Sequence, residues 1–230
     1  TYWTYDTAIR GIGKLAQVQG MDGYLESYGY DLFGRLNATR TVIDGQAFSV
    51  NVTYDSAGRV DQTSYPTGLK VRNVYNTYGY LAQVRNATTN ALYWRADTLN
   101  ARGQLTRETL GNDLITNRSY EATTGRLLEI QTGTSSVPTS AQHGAYTFDV
   151  LGNLTSREDR RQGLIEHFAY DNLNRLTSAQ VAGQNPVSVT YNRLGNITSK
   201  SDIGTYVYGE NGASPNAVTR ITGPRAQVYG

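Results

Sequence analysis

The sequence predicts an all-β fold: tandem β-hairpins joined into one continuous, curved or spiral antiparallel sheet. Three observations predict it. A tyrosine–aspartate turn element recurs along the chain. The segments between its copies alternate apolar and polar residues. Tyrosine and glycine are abundant, at 18 and 24 residues, against four Phe, two Trp and one Met.

The turn element is clearest in VTYDSAGRVDQTSY, Val52 to Tyr65, and returns in YGYDLFGRLNATR, YTFDVLGNLTSRE, FAYDNLNRLTSAQ and VTYNRLGNITSKS. The anchoring glycine of Y-[D/N]-x-x-G falls at Gly34, Gly58, Gly79, Gly125, Gly152 and Gly195. Asn174 takes the same place in one copy, and LNARGQL supplies a degenerate copy at Gly103. Successive anchors lie 24, 21, 24, 22, 27, 22 and 21 residues apart. Near the start, YDTAIRGIGKL reads as a stretched copy with Tyr5, Asp6, Gly13 and Leu15. A repeat at this period is the signature of a stacked array. The expectation is therefore a single array over residues 1–230, with eight or nine hairpins. The loosest segment, Gln131–Gly144, is read as a longer loop and not as a domain boundary.

Turn chemistry explains the spacing within each copy. Asp or Asn opening a type I turn accepts bonds from backbone N–H groups further on. A fourth residue with positive φ then completes the three-residue hairpin with its G1 bulge. This geometry sets Tyr30 opposite Leu36, Tyr54 opposite Val60, Tyr75 opposite Leu81, Phe148 opposite Leu154, Tyr170 opposite Leu176 and Tyr191 opposite Ile197. Asn in place of glycine at 174 fits, because Asn tolerates positive φ better than most residues.

The flanks agree. FSVNVTY, VSVTY and TYVYG alternate with a period of two, and no stretch sustains a helical period. Little or no helix is expected. Tyrosine must supply much of the buried area, its hydroxyl reaching water or a backbone partner. A lone hairpin is marginal in water, but hairpins in tandem cover one another's exposed edges.

The totals exclude several function classes. Net charge is +2 with 17% charged residues, too balanced for a nucleic-acid or anionic-membrane binder. The absence of cysteine rules out disulfides and thiolate metal sites. No apolar run reaches the roughly 18 residues of a membrane span. The chain opens at Thr1 without a basic and apolar leader, and reads as a piece of a larger protein or a processed product.

Candidate sites each have a plainer reading. Asp6, Asp31, Asp55, Asp149 and Asp171 would need to converge to serve as acid–base pairs, and a turn role explains their positions directly. Arg35, Arg59, Arg126 and Arg175 could form a phosphate ladder or stack on tyrosines; exposed strand-end arginines are the expectation. His143 and His167, the only histidines, match no metal spacing, and no G-x-S-x-G elbow occurs, so both are expected on the surface or in loops. Sequons at Asn37, Asn51, Asn86, Asn117, Asn153 and Asn196 follow from the repeat grammar. No catalytic, cofactor-binding or metal residue is assigned, and the expectation is a protein that is not an enzyme. Interleaved tyrosines and arginines leave a carbohydrate-binding or adhesive surface module as the alternative.

The elements YDLFGRL, YDSAGRV, YDNLNRL and YNRLGNIT resemble the YD repeats of the rearrangement-hotspot (Rhs) family. The tail YVYGENGASPNAVTRITG, Tyr206–Gly223, is similar to the NPHAVT stretch of such arrays, with Asn216 in place of the His. The resemblance implies a segment of a hollow, non-enzymatic shell in a bacterial polymorphic toxin or an insecticidal toxin-complex C component, with animal teneurins more distant. It implies that the shell encloses and sequesters a C-terminal toxic domain until delivery. Implied partners are the rest of the YD shell, the enclosed toxin, and a toxin-complex B component or secretion machinery. No cofactor and no nucleic acid are implied, and the setting would be secreted or at a bacterial cell surface. The self-cleavage motif of the toxins, DPxGL-like, has no match in these 230 residues.

Overall fold

A computed structural model describes residues 1–229. It is all-β, as the sequence predicts, apart from one 3-10 turn at Glu210–Gly212. The chain forms two compact units, Thr1–Leu114 and Ile115–Gly230.

The first unit contains β1 (Tyr2–Tyr5), β2 (Leu15–Gln19), β3 (Leu25–Tyr30), β4 (Leu36–Ile43), β5 (Gln46–Tyr54), β6 (Val60–Ser64), β7 (Lys70–Tyr75), β8 (Leu81–Asn86), β9 (Leu92–Leu99) and β10 (Leu105–Leu110). Each strand pairs antiparallel with the next in sequence. The second unit contains β11 (Ile115–Tyr120), β12 (Leu127–Gly133), β13 (Gln142–Phe148), β14 (Leu154–Asp159), β15 (Leu164–Tyr170), β16 (Leu176–Val181), β17 (Val187–Tyr191), β18 (Ile197–Lys200), β19 (Gly204–Tyr208), β20 (Val218–Thr222) and β21 (Gln227–Val228). It follows the same nearest-neighbour order. Both are meanders, the topology that short connections impose on successive strands.

All six expected cross-strand pairs form, each beside a register shift of the bulge type. The stretched first copy closes likewise, with Tyr5 opposite Leu15. Asp55-Ser56-Ala57-Gly58 shows how. The Gly58 N–H donates to the Asp55 carbonyl at 3.0 Å, and the Asp55 N–H donates to the Arg59 carbonyl at 2.8 Å. Gly58 takes φ +80, the left-handed region where the lack of a Cβ removes the steric cost. Asn174 holds the same position at φ +59. Of the loose segment Gln131–Gly144, only the central part is a loop, since its ends complete β12 and begin β13.

Neither unit has a conventional core. Among the described residues the buried apolar side chains are Ala16, Val189 and Ile221, and no large side chain is fully enclosed. A lone sheet layer normally buries a face against another element. Here the tyrosines carry that load through contacts along the strip.

Candidate functional site

The feature that repeats within both units is a strap from one turn to the next. It begins with the turn carboxylate. Asp55 Oδ1 accepts the backbone N–H groups of Ala57 and Arg59, both at 2.9 Å. Its Oδ2 receives the Arg59 guanidinium in a fork, Nε at 2.8 Å and the terminal nitrogen at 2.7 Å. Asp31 with Arg35 and Asp171 with Arg175 repeat this arrangement. Bidentate pairing of this kind fixes the plane of the guanidinium.

That plane then meets the next hairpin. The Arg35 guanidinium lies 4.1 Å from the Tyr54 ring centroid, Arg59 4.1 Å from Tyr75, and Arg175 4.6 Å from Tyr191. Lys14, in the arginine position of the first copy, stands 5.1 Å over Tyr30 and donates to the Gly34 carbonyl. Each such contact contributes about 0.5–1 kcal/mol at exposed sites.

The stacked tyrosine closes the link in the opposite direction. Its hydroxyl donates to the backbone carbonyl just after the stacking cation: Tyr30 to Leu15 at 2.6 Å, Tyr54 to Leu36 at 2.6 Å, Tyr75 to Val60 at 2.8 Å and Tyr191 to Leu176 at 2.8 Å. Tyr170 and Tyr208 make the same bond to Leu154 and Ile197, at 3.0 and 2.8 Å. Six tyrosine hydroxyls thus find backbone partners, as the composition predicts.

Three departures from the motif keep the link by other means. Phe148 has no hydroxyl, and Arg126 reaches past its ring to the Asp149 carbonyl at 2.8 Å. Asn153, in the arginine position, donates to Asp149 Oδ2 at 2.8 Å and to Asn174 Oδ1 in the next turn at 2.9 Å. Asn196 does likewise, reaching the Pro215 carbonyl at 3.2 Å and Asn216 Oδ1 at 3.1 Å. Asn216, singled out in the sequence as a departure from the family pattern, is therefore a landing point for this strap. Tyr80 occupies the arginine position in its copy and is exposed.

The expectation of exposed strand-end arginines is corrected. Arg35 and Arg175 are half-buried, and Arg59 stands at the margin, with side chains 30%, 28% and 36% exposed. All three are held by an aspartate and a ring. A stack on tyrosine was one option in the sequence, but the partner belongs to the following hairpin, a long-range relation that local spacing does not reveal. The available signal was that a tyrosine or phenylalanine recurs one copy after every cation.

The aspartates make turns, as the sequence predicts, and do not converge. Asp6, in left-handed backbone at φ +64, accepts the Gly13 N–H at 2.5 Å. The carboxylates of Asp31, Asp55, Asp149 and Asp171 are held below their ordinary range. In Asp55 the Arg59 backbone N–H is the first cause, followed by the Arg59 side chain. In Asp171 the Arg175 side chain leads, and in Asp149 the Asn153 side chain. A lowered folded value means that these groups stabilise the fold above the unfolded value near 3.8. That contribution is lost as pH falls below 3.8 and passes through the lowered values. Acid unfolding followed by circular dichroism should therefore begin below the usual carboxylate range. Asp55→Asn with Asp171→Asn should flatten the acid limb while preserving the turns, because Asn192 caps its own turn through Oδ1 at 2.9 and 3.0 Å. An unchanged acid limb would refute the linkage.

Both histidines lie in strands, not in loops. His143, in β13, is half-buried, with Nε2 2.7 Å from Glu129 Oε1, an oxygen shared with Arg160 at 2.8 Å. His167 is exposed in β15, with β14 between the two strands. Among the described residues no three His, Cys, Asp or Glu side chains cluster as metal ligands. The sequon amides of Asn153 and Asn196 are engaged in the straps described above. No helix among the described residues is long and apolar enough to cross a membrane.

These observations define a class: a tandem hairpin array in which successive turns within each unit are repeatedly tied by a cation, a ring and a backbone carbonyl, or by an asparagine amide in their place. No family model matches the chain, and no curated protein matches it. Solved structures do match. A crystal structure of TcdB2-TccC3 without the hypervariable C-terminal region aligns over 94% of this chain with a TM-score of 0.71 and 22% identity. A crystal structure of TcdB2-TccC3-Cdc42 aligns over 90%, again at 0.71, with 21% identity. The Photorhabdus luminescens Tc holotoxin pore, with a mutation in TccC3, aligns over 91% at 0.65 and 21% identity. The chain spans 12–13% of the length of the chains it matches. At the level of fold, these likenesses bear out the resemblance to YD-repeat proteins.

Proposed function

We propose that this chain is a wall segment of an Rhs-type toxin shell, non-enzymatic itself, that encloses and sequesters a toxic domain until delivery. The observation that carries this reading is a single sheet layer per unit, strapped turn to turn, with no core of its own. A wall needs lateral continuity and two faces free to meet different surroundings, and the straps supply the first without a second layer. The fold shared with toxin-complex structures supports the same reading. Residues 1–230 act here as one array within a larger exported bacterial protein. The rest of the shell, the enclosed polypeptide and a B-type component are the partners. Electron microscopy of the parent protein should show a hollow, strand-wound body whose interior density resists added protease. A solid particle, or a toxic domain cleaved as fast inside the parent as alone, would overturn the reading.

A further inference from the structure

The second unit carries a row of apolar turn tips that its own chain leaves uncovered. The turns after β13, β15 and β17 leave the sheet along one edge, since successive strands of a meander reverse. Their central residues include Val150, Leu151, Leu173 and Leu194, which are 94%, 72%, 71% and 72% exposed. Turn chemistry does not ask for them. Asp149, Asp171 and Asn192 hold these turns by accepting backbone N–H groups, and a type I turn takes most residues at its central positions. Asp55-Ser56-Ala57-Gly58 makes the same turn in the first unit without a large apolar side chain. The connections at the other ends of these strands, RRQG at 160–163 and AGQNP at 182–186, carry no large aliphatic or aromatic residue. An apolar strip confined to one edge marks an interaction surface.

The row is held in register. Arg126 donates to the Asp149 carbonyl at 2.8 Å, Asn153 to Asn174 Oδ1 at 2.9 Å and Arg175 to the Asn192 carbonyl at 3.2 Å, so each of four successive turns is tied to the next. Successive tips then stand two strand spacings apart, about 9.6 Å. A helix offers equivalent side chains every seven residues, about 10.5 Å, and would slip by about 0.9 Å at each step. A second copy of the row has the same period and does not slip. The charges also favour a copy. Glu121 belongs to the turn at one end of the row and the exposed Arg193 to the turn at the other. A two-fold axis between the turns at Asp149 and Asp171 sets Val150 and Leu151 of one copy against Leu173 of the other, and each Arg193 against the partner's Glu121. Clefts of about 420 and 350 Å³ flank the turn at Asp149, lined in part by Val150 and by Leu151, and give incoming side chains room. Four turns at this spacing make a strip of roughly 400 Å² per copy, about half of a standard interface, which argues for a weak dimer.

We infer that this edge is a self-association surface, and that two copies of the chain pair through it in an antiparallel, two-fold arrangement. The inference goes beyond the wall reading and does not rest on it, because the row stands uncovered in the chain itself. Sedimentation equilibrium of the 230-residue chain, from about 1 μM to 1 mM, tests it. A monomer–dimer equilibrium is expected, with a dissociation constant of about 10–500 μM. Leu151→Ser, Leu173→Ser and Leu194→Ser together should weaken it about tenfold or more. Leu173→Ser alone should weaken it about threefold or more, and serves if circular dichroism shows that the triple variant fails to fold. Val137→Ser, at an exposed apolar residue in the loop after β12, should leave association unchanged. Arg193→Glu should weaken it about threefold or more. Adding Glu121→Arg should restore it, an outcome that non-specific adhesion of an apolar surface does not give. A chain that stays monomeric throughout that range, growth beyond the dimer, unchanged association in the leucine variants that fold, or a charge swap without rescue would overturn the inference.

Discussion

Gly204→Ala should lower the stability of the second unit by about 3–5 kcal/mol, the upper end for a single substitution. Gly204 opens β19 at φ +137, a conformation that side chains rarely adopt. A Cβ there would fall 2.0 Å from the Thr222 carbonyl oxygen and 2.9 Å from its carbon. Both atoms are backbone of β20, the partner strand, whose Thr222 pairs with Thr205. No side chain can swing aside, so the β19–β20 pairing itself must open. Scanning calorimetry should show a transition lowered by about 10 °C or more. Gly195→Ala is the comparison. Its φ is +89 and nothing lies within 4 Å of the added carbon, so only backbone strain of about 1–2 kcal/mol applies. Equal losses in the two variants would show that overlap with β20 is not the cause.

Tyr54→Ala should destabilise the first unit by about 2–4 kcal/mol, since it removes a large half-buried side chain. Three interactions go together: the pair with Val60, the stack under Arg35 and the bond to the Leu36 carbonyl. Tyr54→Phe removes only the last and should cost about 0.5–1.5 kcal/mol. A double-mutant cycle of Tyr54→Ala with Arg35→Ala isolates the link between hairpins, with an expected coupling of about 0.5–1 kcal/mol. Urea midpoints measure all four corners of the cycle. Strict additivity would mean that the ring and the guanidinium are neighbours without energetic consequence, and the strap would lose its role as lateral reinforcement.

The turns were legible because their chemistry is local. Asp55 and Gly58 are three residues apart, and the geometry that joins them follows from one side-chain acceptor and one positive φ. The six aromatic–aliphatic pairs follow from the same register, and so does the near absence of helix. Even the stretched first copy was legible, since Tyr5, Asp6 and Leu15 keep their roles although the loop between them is longer. The straps were not. Arg35 meets Tyr54 nineteen positions away, and which of the intervening residues it touches depends on how one hairpin lies beside the next. The same limit applied to Asn153 and Asn196, which the sequence reads only as products of the repeat grammar and whose amides bridge turns.

The sequence by itself determined the repeating unit: where the chain reverses, which residues face one another across each hairpin, and that tyrosine would do the work of an aliphatic core. Those are consequences of short-range sterics and hydrogen bonding, which act within a few residues. Only the tertiary structure decided what holds neighbouring hairpins together, because a guanidinium, a ring and a carbonyl from different copies meet only after the strands have paired.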